Sequence, residues 1–232
     1  MIMKNYSIAI DGPAGAGKST VAKKLSEKLG FIYIDTGAMY RAITLFYVEK
    51  GIDCDNESTV KEHLDEISVT IRYIDGTQHV YLNGEDVSGK IRTPEVSDNA
   101  SKISAIAAVR EKLVAIQQDL ARSENVVMDG RDIGSVVLPN ADLKIYLTAS
   151  VSVRAKRRYD EMIQKGQEAD LETIEKEIAD RDYRDMHREN SPLVRVPDAK
   201  LADTSELNID EATGFCLGLL AGCCGYGQDR EV

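Results

Sequence analysis

Cysteine is scarce in this 232-residue chain: Cys54, Cys216, Cys223 and Cys224, with no C-x-x-C pair and no ligand-type spacing to His63, His79 or His187. That argues against a zinc site or a disulfide framework and fits reduced thiols in a cytoplasmic protein. Long apolar runs are lacking too. The longest, Phe215 to Cys224, is about half the roughly 20 residues a membrane span needs. The opening MIMKNYSIAIDGPAG moves from one lysine to a short apolar strand and a glycine-rich turn, which is no secretory signal. Positive charge is in deficit: Lys+Arg 29 against Asp+Glu 39 leaves a net charge of −10. No general nucleic-acid coat or anionic membrane surface is expected as partner, since both need a basic face. There is no low-complexity tract and no internal repeat. What remains is an ordinary globular composition, 43% hydrophobic and 29% charged, at a length suited to one domain with a substantial core.

Within it, strands and helices alternate. Tyr6 to Asp11 reads as a buried strand, Lys18 to Leu29 as an amphipathic helix stopped by Gly30, Phe31 to Ile34 as a second strand, and Gly37 to Lys50 as a helix closed by Gly51. Glu57 to Ile67 continues as helix. From Val69 the pattern becomes β-rich, with hairpin signals at Asp75-Gly76 and Asn83-Gly84; residues 68–92 are expected to form a small antiparallel sheet. Helices resume from Pro94 to Arg122. Val126 to Met128 and Leu143 to Leu147 read as strands, Ser152 to Lys165 and Leu171 to Glu189 as long charged helices, and Lys200 to Asp203 and Ile209 to Leu220 as a last strand and helix. Short apolar strands alternating with helices predict a three-layer α/β fold with a parallel sheet.

The sharpest signal is Gly12-Pro13-Ala14-Gly15-Ala16-Gly17-Lys18-Ser19, which satisfies G-x-x-x-x-G-K-S/T between a strand and an amphipathic helix. Glycines let the backbone wrap a phosphate with its N–H groups inward, and the following helix adds its positive end. Lys18 supplies a cation to the β- and γ-phosphates, and Ser19 a hydroxyl for Mg²⁺. A glycine-rich strand-to-helix turn without a ligand would share the composition but needs neither Lys18 nor Ser19. The loop alone does not say which nucleotide enzyme this is. No Asn is followed by Lys, so a guanine-reading N-K-x-D is missing, and the one D-x-x-G, Asp86 to Gly89, lies in the β-rich insert. A loop this near the amino terminus of a short chain suggests a small-molecule kinase.

Of 14 arginines, Arg154, Arg157, Arg158, Arg181, Arg184, Arg188 and Arg195 fall in one stretch. Interleaved acids make a solvated, salt-bridged face the plain explanation for part of this. The spacing of Arg181, Arg184, Asp185 and Arg188 nevertheless puts three guanidiniums and one carboxylate on one helical face. Phosphoryl transfer between two anions needs such an array. Arg154, Arg157 and Arg158 open another helix that could serve as a lid excluding water. Asp129 ends a buried strand and suits an outer-shell Mg²⁺ partner, with Arg131 and Asp132 projecting into the crevice above the sheet. Asp35-Thr36 is either a helix cap, a ligand contact, or both, with Arg41 one turn on.

The strings IAIDGPAGAGKST, IDTGAMYRA, GEDVSGKIRTPEVS, VREKL, MDGRDIGSVVLPNADLKIYL and DRDYRD resemble the bacterial cytidylate kinases almost from end to end. Most specific is the combination of D-S/T-G-x-x-Y-R, G-x-D-V-S/T-x-x-I-R and D-G-R-D-I/M-G. The resemblance implies a three-layer P-loop kinase with a central, mostly parallel five-stranded sheet, an antiparallel insert (68–92) within the nucleoside-monophosphate-binding region (36–104), and a helical lid (154–185) on a core of residues 1–35, 105–150 and 190–220. It implies transfer of the γ-phosphoryl of ATP to CMP or dCMP with Mg²⁺, by a cytoplasmic monomer. Gly12, Pro13, Ala14, Gly15, Ala16, Gly17, Lys18, Ser19 and Thr20 would bind ATP. Thr36, Arg110, Asp132 and Arg188 would surround the pyrimidine, Arg41 and Arg131 hold the acceptor phosphate, and Ser101, Arg181 and Asp185 approach the sugar. Lys18, Asp129, Arg131, Arg157 and Arg158 would be catalytic, with Ser19 ligating Mg²⁺ directly and Asp129 through water. The family often has Ser where Thr36 stands; the hydroxyl is kept. The tail from Gly222 to Val232 matches nothing functional.

The chemistry of cytosine agrees with this set. Its N4 amine donates beside the N3 and O2 acceptors, so a carboxylate such as Asp132 flanked by arginines favours cytosine over uracil. A related kinase with another acceptor, and a non-catalytic nucleotide-binding module, are the competing readings; the second needs neither Asp129 nor the arginine face. The insert and the 154–188 region are expected to move when substrates bind.

Overall fold

Residues 5–223 are described by a computed structural model. The chain runs β1 (Ser7–Asp11), α1 (Lys18–Leu29), β2 (Ile32–Asp35), α2 (Thr36–Glu49), α3 (Glu57–His63), β3 (Val69–Ile74), β4 (Thr77–Leu82), β5 (Glu85–Asp86), α4 (Pro94–Ile103), α5 (Ala107–Ser123), β6 (Val126–Gly130), β7 (Leu143–Thr148), α6 (Val151–Gln164), α7 (Leu171–His187), β8 (Lys200–Asp203) and α8 (Ile209–Cys223).

Five strands pair in the order β2-β6-β1-β7-β8, every pairing parallel. The continuous apolar runs of β1 and β6 have this origin: a parallel sheet is covered on both faces. Period-two alternation sorts their side chains. Ala9, Ile34 and Met128 face a layer built by α2, α5 and the insert, and Ile8, Ile10 and Val127 face one built by α1 and α8. The chain leaves β1 for β2 on one side and reaches β7 on the other, so the crevice above β1 and β6 is the switch point where ligands of such sheets bind. Three aspartates end neighbouring strands there. Asp35 is in register with Asp129, and Asp11 with Gly130.

The insert is the three-stranded antiparallel sheet β3-β4-β5. Both of its two-residue turns have left-handed backbone, at φ 50° and 73° for Asp75-Gly76 and 49° and 87° for Asn83-Gly84, as tight hairpins require. Val69, Val80 and Leu82 pack into the same apolar layer as α2. Polar side chains tie the insert to β2. Tyr73 donates its hydroxyl to the Tyr33 carbonyl at 3.0 Å. The Gln78 carboxamide accepts from the Asp35 N–H at 2.8 Å and donates to the Asp35 carbonyl at 3.3 Å, as a neighbouring strand would.

The helical stretch from Pro94 resolves into two helices. The break leaves the Ser104 carbonyl free to accept from Arg110 Nη1 at 2.9 Å. A π-type turn over Ile133–Val137, not evident from the sequence, closes the segment after β6. Cys54 and Cys216 are buried free thiols. No group of three or more His, Cys, Asp or Glu suited to a metal exists among the described residues, and none of their helices is long and apolar enough to cross a membrane. The tail from residue 224 lies outside the described residues.

Gly12 is where the fold tolerates no side chain. Its φ is 150°, and a Cβ there would stand 1.9 Å from the Leu147 carbonyl oxygen of β7. Gly30, which ends α1 at φ 69°, faces open space. Gly12→Ala is therefore expected to lower stability by about 3 kcal/mol or more, and Gly30→Ala by about 1 kcal/mol. Urea denaturation of both variants checks the ranking, and equal losses would refute the steric account.

Candidate active site

The glycine loop emerges from β1 and delivers α1 with its first amides uncapped: Gly17 precedes the helix at φ 90° and no side chain caps it. Those free N–H groups and the helix dipole make an anion cradle. Lys18 arches over it, its Nζ donating to the Pro13 carbonyl at 2.8 Å. Lys18 is only 6% exposed. Burial, reinforced by the nearby Arg131 charge, pushes its ammonium down to about 7 against the pull of Asp129 and Asp185. Next to it, Ser19 Oγ donates to Asp129 Oδ2 at 2.9 Å, and the Tyr33 hydroxyl donates to Asp129 Oδ1 at 2.8 Å. Burial holds the Asp129 carboxyl above the usual range, Asp35 adding to the effect and Lys18 opposing it.

From this loop a cavity of about 240 Å³ extends over α2, α4, α5 and α7. The structure brings Lys18, Ser19, Thr36, Arg41, Ser101, Arg110, Asp129, Arg131, Asp132, Arg181, Asp185 and Arg188 to its walls. The carboxylates hold the guanidiniums. Asp35 caps α2 through Ala38 N at 2.8 Å and pairs with Arg41 at 3.0 Å. The Asp132–Arg110 pair is buried, with Arg188 Nη2 at 3.9 Å from the other oxygen. Arg131 Nε donates to Asp185 at 2.8 Å. Thr36 Oγ1 donates to the Asp129 carbonyl at 2.7 Å, so capping and site building coexist at Asp35-Thr36. Arg181 is the exception: its Nε is buried without a partner, and burial plus the Arg131 charge push it down to about 10. Arg41 Nε, Arg110 Nε, Arg188 Nη2 and Tyr40 OH are likewise buried without a hydrogen-bond partner. Donors crowd this cavity beyond what the chain's own acceptors satisfy, which suits a polyanionic ligand.

Other expected residues lie elsewhere. Gly12 and Ala16 sit beneath the loop, Gly12 against Leu147 and Ala16 with its carbonyl 3.5 Å from Thr204 Oγ1. Thr20, Arg157 and Arg158 line a second depression behind the loop with Leu207, Asn208 and Ile209, and Gly15 lines both it and the main cavity. There Arg157 Nη2 donates to the Thr204 carbonyl at 2.6 Å, and Arg158 lies 3.7 Å from Glu177. Arg184 does not join the face expected for it; it points outward, 3.8 Å from Asp98. Arg154, expected in a helix that could form a lid, is 3% exposed. It donates to the Ala14 and Ala149 carbonyls at 2.8 and 2.9 Å and pairs with Asp182 at 2.7 Å.

Sequence reasoning missed two residues with central positions. Asp11 accepts from Ile133 N and Gly134 N, both at 2.7 Å, and so anchors the turn that follows Arg131 and Asp132; burial raises its carboxyl to about 6. It ends a buried strand just as Asp129 does, and that shared placement was the available signal. Tyr33 gave no such signal. For a metal, one hydroxyl and one carboxylate 2.9 Å apart beside the phosphate cradle suit a hard cation such as Mg²⁺ completed by phosphate oxygens and water.

The sequence profile of the family described as cytidylate kinase matches residues 8–218. A cytidylate kinase from Lactobacillus johnsonii is 52% identical over 209 residues, covering 89% of this chain and 91% of the relative. One from Caldicellulosiruptor saccharolyticus is 53% identical, covering 90% and 92%. Among solved structures, a gluconokinase from Sinorhizobium meliloti shares the fold at TM-score 0.50 and 16% identity, covering 98% of this chain and 99% of that one.

The Lys18 environment has a measurable cost. A lysine whose pKa is depressed by folding disfavours the native state while protonated, so its penalty is full below about pH 7 and fades as pH rises toward 10.5. Lys18→Met is expected to stabilise the ligand-free protein by on the order of 2 kcal/mol at pH 7, the gain shrinking toward pH 10. Urea midpoints across that range test this; a variant less stable than wild type at pH 7 contradicts it.

Proposed function

The chain belongs to the cytidylate kinase family, and from that membership we propose that it transfers the γ-phosphoryl group of ATP to CMP or dCMP, giving ADP and CDP or dCDP, with Mg²⁺. The observation that carries the reading is the meeting of Lys18 with Arg41, Arg131 and the unpaired Arg181 around one cavity.

A nucleoside monophosphate is already a dianion near neutral pH, because its second phosphate ionisation lies near pH 6. Its oxygen needs no general base to attack. What it needs is relief from repulsion by the triphosphate and an in-line approach. The loop amides and Lys18 hold the donor phosphates. Ser19 and Asp129 hold Mg²⁺, which when bound offsets phosphate charge. Arg41, tethered by Asp35, and Arg131, tethered by Asp185, grip the acceptor phosphate. Arg181, whose buried Nε has no hydrogen-bond partner, is left to meet the transferred group. Ser101 and Asp185 reach the sugar. Asp132 has oxygen lone pairs beyond those used by Arg110 and accepts the cytosine N4 amine, with Arg110 and Arg188 facing N3 and O2 and Thr36 beside them. Arg157 and Arg158, on the far side of the loop, serve the ATP end. Arg154 and Asp182 join both lid helices to the loop, which excludes water from the transfer. One chain supplies every group, which supports a working monomer; a cytoplasmic setting follows from the two nucleotide substrates.

An ADP-release assay over CMP, dCMP, UMP, AMP, gluconate and shikimate tests the reading. CMP and dCMP are expected to exceed the others in kcat/KM by tenfold or more, and preference for any other acceptor overturns it. Lys18→Ala is expected to lower kcat by about 10²-fold or more with the fold retained. Asp132→Asn should shrink the CMP-to-UMP ratio of kcat/KM by about tenfold or more, because uracil has no amine to lose. An unchanged ratio removes Asp132 from base reading.

A further inference from the structure

Tyr33 lies outside the substrate cavity, on the strand that flanks Asp129. The strand alternation turns its ring toward the layer beneath α1, where it packs against the apolar cluster that contains Val21, Leu25 and Val127. Its hydroxyl reaches across to Asp129 Oδ1 at 2.8 Å, while Ser19 Oγ takes Oδ2 at 2.9 Å. The two donors hold opposite oxygens of one carboxylate, which fixes the plane of that group and leaves Oδ2 as the oxygen beside the phosphate loop. Without the phenol, Oδ1 would be a buried anionic acceptor with no donor, and rotation about the terminal carboxylate torsion, which is intrinsically soft, would be unrestrained.

We propose that Tyr33 is a positioning residue for the Mg²⁺ site: by donating to Asp129 Oδ1 it fixes the plane of the carboxylate and aims Oδ2, with Ser19, at the cation that accompanies the nucleotide. The inference rests on the phosphoryl-transfer reading, since that reading supplies the cation. Two further facts support it. The residue sits in a strand whose backbone pairs with that of Asp129, Tyr33 beside Val127 and Asp35 beside Asp129, so the support is rigid. Its carbonyl also accepts the Tyr73 hydroxyl at 3.0 Å, pinning the strand from its outer side. Metal-bound carboxylates are oriented by hydrogen bonds of this kind, and losing one weakens metal affinity by roughly 10- to 100-fold in the strongest cases.

The test is Tyr33→Phe, which removes one oxygen and keeps the ring that packs against α1. ADP is titrated into wild type and variant by calorimetry, once in EDTA and once in excess MgCl₂. The expected result is an unchanged affinity for ADP in EDTA and a three- to tenfold loss of the enhancement that Mg²⁺ confers. An unchanged enhancement overturns the proposal, whether or not the melting temperature falls, because a phenol that only fills space would affect both titrations alike. A wild type that binds ADP equally with and without Mg²⁺ overturns the phosphoryl-transfer reading and this inference with it. A wild type showing the enhancement, matched by the variant, overturns the Tyr33 role alone.

Discussion

Lys18, Arg41, Arg110, Arg131, Arg181 and Arg188 converge on one cavity of an acidic protein. So many cations repel one another, and that repulsion adds to burial in lowering the proton affinity of Lys18 and Arg181. What makes the arrangement possible is a set of aspartates placed among them, each bound to a particular guanidinium and each arriving on a different element: Asp35 from β2, Asp132 from the turn after β6, Asp185 from α7. These pairs do not neutralise the site for its own sake. They hold planar forks in fixed orientations before any anion arrives, so that binding requires little rearrangement. Arg181 keeps a buried Nε with no hydrogen-bond partner, its charge opposed at a distance by Asp185.

The strand ends make this order possible. Three neighbouring parallel strands finish in aspartate or its registered neighbour at one level, and each carboxylate is committed differently. Asp35 caps a helix and tethers arginine, Asp129 meets a serine and a tyrosine hydroxyl, and Asp11 receives two backbone amides. A buried carboxylate is tolerable only when it is so bonded. The same requirement recurs between α6 and α7, where Arg154 and Asp182 are both buried and both bonded to Ala14 of the glycine-rich loop. Any outward swing of α6 and α7 has to break that trio together.

Local pattern made much of this legible. Gly30 stops α1, Asp75-Gly76 and Asn83-Gly84 turn the insert, and the apolar runs of β1, β6 and β7 form the parallel sheet expected of them. The loop motif and the arginine-rich strings pointed to the residues that now share a cavity, because those motifs depend on spacing within one segment. What depends on register between segments was not legible. Tyr33 matters because β2 lies beside β6 with a given offset, and nothing in FIYID states that offset. Arg154 reads as a solvated lid residue until Asp182 from another helix and Ala14 from the loop surround it. Arg184 follows the helical spacing of Arg181 yet turns away, while Arg188, in extended backbone just past the end of α7, lines the cavity.

The Gln78 carboxamide carries a consequence of another kind. β2 is the outermost strand of its sheet, and an outermost strand offers unpaired amides and carbonyls to any other extended chain, the usual route to aggregation. Gln78 occupies both backbone groups of Asp35, and Tyr73 occupies the Tyr33 carbonyl. The insert therefore shields the open flank of the sheet with side chains, without adding a sixth strand and without locking itself to the core through a backbone ladder. A protein of this architecture that dispensed with the insert would have to guard that flank by some other means, so the module's retention has a colloidal reason independent of what the cavity binds.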